Sequence, residues 1–195
     1  SHFGEFETVM HELVSPDIHV DIFIVEPTAE RNYYTLVTSG MGAHRMNVPK
    51  ELAEYKLERA EIVVYLPADW NISDHEEKNY WPLRWLKILA RLPLEEDSWL
   101  GWGHSVPNGK PFAENTQLSS VLLINPENVE EGAAVCQLPN GEEVNFYQMI
   151  PLYEEEVNFK IQNGAETLLG KMGEISAVVD IHRLNVCEGF GRPKE

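Results

Sequence analysis

The stretch DIHVDIFIV, residues 17–25, alternates polar and apolar at its start and turns wholly apolar from Ile22 onward. That change of pattern describes a strand with one wet face that becomes buried on both faces at its far end. Pro27 stops it, and YYTLVT (33–38) supplies a second strand. Thr38-Ser39-Gly40-Met41-Gly42 then reads as a turn whose two glycines permit positive φ. A short helical turn near 51–55 leads to EIVVYL (61–66), a third strand ended by Pro67.

Working outward, a helix is expected over 82–92. Pro82 stands where a first turn tolerates it, and Trp85, Ile88, Leu89 and Leu92 form one apolar stripe before Pro93 terminates it. Residues 99–106 look extended, and Asn108-Gly109 is a turn signal. A strand follows at 118–124, then a hairpin of 133–138 and 142–150 around Pro139-Asn140-Gly141. A second helix over 153–172 opens on three glutamates that suit the positive end of its dipole. It buries Val157, Ile161, Ala165, Leu168, Leu169 and Met172, with Gly173 as its cap, and 175–181 is the last strand. The expected fold is an α/β (α+β) sandwich, a mixed β-sheet of about seven strands flanked by two main helices. One domain over residues 1–195 is expected, since no stretch reads as a linker or repeat.

Fifteen Lys and Arg against 32 Asp and Glu give a formal charge of −17. Such a surface repels phosphate, so the reading expects neither nucleic acid nor an anionic membrane as partner; a basic protein would be steered toward it. The same acidity also serves plain solubility. The N-terminus shows no basic leader or apolar signal core and no apolar run is long enough to span a bilayer, so the expected location is cytoplasmic. Cys136 and Cys187 are far apart with no CxxC pair, and they read as buried thiols in strand-like surroundings.

Chemistry finds little footing. His19 and Asp21, two apart on a strand, share a face, and Asp180 and His182 repeat that spacing. Were the two strands adjacent, four ligands could converge on a divalent metal; this metal-dependent enzyme is the alternative reading. The preferred reading is a structural polar cluster of His19, Asp21, Asp180 and Arg183, with no catalytic residue, metal or cofactor. Ser39 lacks the glycine two places before it that a nucleophile elbow needs, and neither a Walker loop nor GxGxxG occurs. Trp70, Tyr80, Trp81, Trp85, Trp99 and Trp102 crowd into one part of the chain. Trp85 belongs to the helix stripe. The others serve equally as partner anchors or as a second small core.

Several blocks resemble the bacterial Suppressor of fused family. They are His-Val-Asp at 19–21, Leu-Val-Thr-Ser-Gly-Met at 36–41, Leu-Pro-Ala-Asp-Trp at 66–70 and Tyr-Trp-Pro-Leu at 80–83. Leu-Ala-Arg at 89–91, Gly-Trp-Gly-His at 101–104 and the Asp180/Arg183 pair complete the set, in order along nearly the whole chain. The resemblance implies a mixed α/β sandwich without established catalysis. Eukaryotic members clamp an extended peptide of a transcription factor against a sheet edge, with the help of a second, C-terminal domain that is not expected here. Two of their ligand-facing positions, a tyrosine and an aspartate, fall at Leu92 and His104, which puts the ligand's identity in question. For a bacterial member the resemblance implies an immunity protein that neutralises a toxin by direct binding, and the acidic balance suits a basic, nuclease-like toxin. The binding surface is therefore expected on Trp70, Tyr80, Trp81, Leu92, Trp99, Trp102 and His104.

Overall fold

The computed structural model describes residues 3–6, 8–12, 18–127, 129–130, 132–173 and 177–191. Its strands are β1 (Thr8–Met10), β2 (Asp21–Val25), β3 (Tyr33–Ser39), β4 (Ala60–Pro67), β5 (Ser105–Pro107), β6 (Ser120–Ile124), β7 (Val135–Gln137) and β8 (Glu143–Leu152). They form one mixed sheet in the order β1-β2-β3-β4-β8-β6-β5, with β7 also paired to β8. The β4–β8 pair is parallel and the other pairs are antiparallel.

The apolar run of β4 follows from its central place in the sheet. Ile62, Val64 and Leu66 enter one core, and Val63 and Tyr65 another on the opposite face. Helix α1 (Glu77–Glu95) covers the first face with Trp81, Leu83, Trp85, Leu86, Leu89 and Ala90 buried. Helices α2 (Glu154–Asn163) and α3 (Ala165–Met172) cover Leu122, Ile124, Ile150 and Leu152 on the other. The mixed α+β class is as expected from the sequence.

Several expected elements change in detail. The first strand begins at Asp21, although Ile18 and Val20 before it are buried; Asp17 lies outside the described residues. Helix α1 starts a turn earlier than expected and runs past Pro93, so both prolines are internal. Pro82 has no amide to give the Lys78 carbonyl, and the Asn115 side chain donates there instead at 3.4 Å. The buried stripe runs through Trp85, Leu86, Leu89, Ala90 and Pro93, leaving Ile88 at the surface. The expected 153–172 helix is broken at Gly164, whose φ of 90° fits neither helix. The break shifts the helical phase and leaves Ile161 69% exposed, where one unbroken helix would have buried it. Of the extended 99–106 stretch only its end is strand. In the last expected strand, Ile175 lies outside the described residues and Val178 makes an isolated parallel bridge to Tyr65. Cys187 is buried as expected, its thiol pushed up by burial, but Cys136 is exposed on β7.

The 36–41 block acquires a physical reason. The Glu61 carboxylate is buried under the turn, accepting from the Thr38 hydroxyl at 2.5 Å and from the Gly40 and Gly42 amides at 2.9 Å each. Gly40 has φ of 130°, and a Cβ there would meet the His19 carbonyl oxygen at 2.0 Å. Only glycine fits.

Candidate functional site

Strand β5 ends the sheet. The His104 carbonyl accepts from the Leu123 amide and the Asn108 amide donates to the Ser119 carbonyl, both from the residues that immediately flank the strand. Even-numbered residues therefore turn their backbone to β6, and Ser105 and Pro107 turn theirs outward. Among the described residues no strand pairs with that outer side. Pro107 has no N–H to offer there, so the edge presents the Ser105 amide and the two carbonyls.

The approach to β5 is shaped by the Gly-Trp-Gly-His block. The Trp99 ring lies over Gly101, where a Cβ would come within 2.6 Å of it. Gly103 turns the chain at φ of 78°. His104 then meets Trp99 edge to face, with ring centroids 4.3 Å apart. Burial pushes the His104 imidazole below its usual range, against a hydrogen bond to the Trp99 backbone that raises it. Leu92, Trp99, His104, Val106 and Lys160 line a depression of about 370 Å³ at this end, with the Lys160 ammonium 3.2 Å from the Ser105 hydroxyl. At the Pro107 end lies a larger one of about 670 Å³, whose walls include Ile161, Leu184, Glu154, Glu155 and Glu188. Ile161 and the 85%-exposed Leu184 were not foreseen as surface residues of a site. Gly164 was the available signal for Ile161; Leu184 carries no periodicity that marks it.

The expected aromatic surface divides. Trp81 is fully buried, stacked on Phe112 at 4.7 Å and 6°, and is core. Trp70 packs edge-on against it at 6.2 Å and donates its Nε1–H to the Asn79 carbonyl. Tyr80 is half-buried beside His75. These three stand at the start of α1, whereas Leu92, Trp99, Trp102 and His104 stand at or beyond its last turn. Along the helix Trp81 and Leu92 are eleven residues apart, about 16 Å at 1.5 Å per residue. Trp102 is 41% exposed.

The expected four-residue polar cluster also divides. His19 Nε2 is 2.8 Å from Asp21 Oδ1, at the start of β2 and so beside the Glu61 end of β4. Asp180 and His182 line a groove with Pro67 and Trp70 at the other end of β4, about 20 Å away at 3.3 Å per strand residue. The two pairs share no site, which removes the geometry on which the metal-dependent enzyme reading stood. Asp180 Oδ1 accepts the His182 amide at 2.8 Å. Arg183 pairs with Glu156 rather than Asp180. Its Nη1 is 2.6 Å from Glu156 Oε1, its Nη2 binds Oε2 and also donates to the Pro151 carbonyl at 2.9 Å, and its plane lies over Tyr153. Glu156 is fully buried and also accepts the Tyr153 and Val186 amides. This knot ties the chain after Asp180 to the start of α2. Arg91 of the Leu-Ala-Arg block does the same at the other end, binding Glu12 and the Ile18 carbonyl.

The sheet order and the two helical layers define an α+β domain on an open mixed sheet with an accessible edge. The family described as Suppressor of fused protein (SUFU) matches residues 16–184, and the chain belongs to that family. The Ureaplasma parvum serovar 3 protein called Uncharacterized protein UU111 is 27% identical over 185 residues, covering 93% of this chain and 88% of its own. A SUFU homolog from Neisseria gonorrhoeae FA 1090 superposes with a TM-score of 0.67 at 18% identity, over 92% of this chain and 86% of that one. A chain of the Sufu–Fu complex gives 0.61 at 14%, over 86% and 77%. Drosophila Suppressor of Fused gives 0.60 at 15%, and this chain spans 42% of its length. Among the described residues no helix is long and apolar enough to cross a membrane.

Proposed function

We propose that this domain binds a protein partner by adding an extended segment of it to the outer side of β5. The observation that carries the reading is the edge itself: outward backbone groups at Ser105 and Pro107 between two depressions, one beside Trp99 and His104 and one where Ile161 and Leu184 stand among acidic side chains. Main-chain pairing supplies affinity in such a mode, and side-chain pockets on either hand supply selectivity. The structural relative solved as a Sufu–Fu complex supports a protein partner for this fold.

The partner is basic. Glu154, Glu155 and Glu188 wall the larger depression, and the whole chain carries −17. That charge would speed encounter with a cationic protein and compete with its polyanionic substrate. An immunity role, in which the domain caps a basic nuclease-like toxin, is the form of this reading that best uses the charge.

The test is to capture the partner from the native host, identify it by mass spectrometry, purify it and titrate it at low and physiological ionic strength. A basic partner whose association rate falls steeply with salt is the expected result. An acidic partner, or a rate indifferent to salt, would remove the toxin-capping form. Absence of any partner that binds when purified would remove the protein-binding reading itself.

A further inference from the structure

We infer that His11, His19 and Asp21 form a binding site for a single divalent transition-metal ion of the zinc type. The inference is independent of the β5 edge, which lies at the opposite side of the sheet.

Sheet register brings the three residues together. Met10 pairs with Ile22 across β1 and β2, so the next residues outward, His11 and Asp21, stand opposite each other. His19 lies two residues before Asp21 in extended chain and so shares its face. Burial confirms the alternation: Ile18, Val20 and Ile22 point into the core. His19 and Asp21 therefore project from the other side.

On that side the two imidazoles converge on one carboxylate. His11 Nδ1 is 3.1 Å from Asp21 Oδ2, and His19 Nε2 is 2.8 Å from Oδ1. All three donor atoms lie within 4.8 Å of one another. Two imidazole nitrogens and one carboxylate oxygen around a tetrahedral ion, at about 2.0–2.1 Å each, stand about 3.3–3.4 Å apart. An ion therefore enters with small side-chain rotations and no backbone movement. Two nitrogens and one oxygen suit zinc, cobalt or nickel over magnesium or calcium, whose shells are oxygen. The Glu12 amide donates to Asp21 Oδ1 at 3.2 Å, the kind of outer hydrogen bond that fixes a ligating carboxylate. The fourth position opens to solvent, because both histidines are more than half exposed.

The position gives the ion a role. His11 follows β1 and His19 precedes β2, so a bound ion would close the connection between them and fasten the edge strand β1 to the sheet. Glu12, the neighbour of His11, is paired to Arg91 on α1. A bound ion would thus hold the junction of β1, β2 and α1.

The experiment is calorimetric titration of the metal-stripped protein with zinc chloride, and of cobalt(II) chloride followed by visible absorption. Expected are one equivalent of zinc bound at micromolar affinity and a four-coordinate cobalt spectrum. His11→Ala and His19→Ala should each weaken binding at least about tenfold while circular dichroism is unchanged; His182→Ala should leave it intact. Saturating zinc should raise the Tm of the wild type by about 5 °C and that of His19→Ala hardly at all. No zinc binding, or binding that survives both histidine substitutions, would overturn the inference and leave the three residues as a hydrogen-bonded cluster.

Discussion

His104 sits edge-on to Trp99 with the ring centroids 4.3 Å apart, at the point where the chain enters the edge strand β5. The pairing places a desolvated imidazole beside the backbone groups that the domain offers to a partner. It also makes His104 a measurable reporter of that surface.

Burial lowers the folded-state pKa of His104 below its ordinary value of 6.5. Below about 6.5 the unfolded chain therefore binds more protons than the folded one, and stability contributed by the neutral ring is lost as pH falls through that value. Urea midpoints at about pH 7.5 and about pH 5.5 should drop more for the wild type than for His104→Phe. Equal drops would show that the ring is not desolvated in the fold.

Trp81 and Trp102 test the division of the aromatic residues. Trp81→Ala empties a fully buried site stacked on Phe112 and should cost about 3–5 kcal/mol of folding stability. Trp81→Phe should recover most of it. Trp102→Ala, at a surface position, should stay within about 0.5 kcal/mol of wild type. Denaturant titration of the three variants checks the order; a costly Trp102→Ala and a mild Trp81→Ala would reverse the assignment.

The Arg183–Glu156 pair is buried on both sides, at 8% and 0% side-chain exposure. Removing one partner strands the other charge, so Arg183→Ala should destabilise by about 3–5 kcal/mol. Asp180→Ala, which leaves that pair intact, should be much milder. Were the two substitutions equally damaging, the sequence reading that joined Asp180 to Arg183 would be the better one.

The sequence made the sheet legible where burial was extreme. EIVVYL needed no more than its unbroken apolar run, because a strand buried on both faces has no polar side to show. The glycines at 40 and 42 marked a turn, but not the carboxylate beneath it, since nothing in one chain says that Glu61 faces inward among 32 acidic residues. Arg183 was joined to the nearest acid in sequence, whereas space gave it one 27 residues away. Apolar spacing that ran on across Gly164 concealed a helix break and hid Ile161 as a surface residue. Tryptophan, equally at home in core and interface, could not declare its role by type; Trp81 and Trp99 diverge because one faces the sheet from α1 and the other lies beyond its end. His11 escaped notice because its partner in the ladder is set by the β1–β2 register.

The central claim is that the partner pairs with the outer side of β5, and Ser105→Pro addresses it most directly. The substitution removes the one outward amide of the strand, together with the hydroxyl that meets Lys160, and leaves the hydrogen bonds to β6 in place. Ser105→Ala, which loses the hydroxyl alone, is the control. With the captured partner purified and the variant's fold verified by circular dichroism, the dissociation constant is measured for wild type and Ser105→Pro. A loss of tenfold or more, about 1.4 kcal/mol, is the result expected of strand addition. Unchanged affinity in the folded variant would contradict it and place the partner elsewhere on the domain.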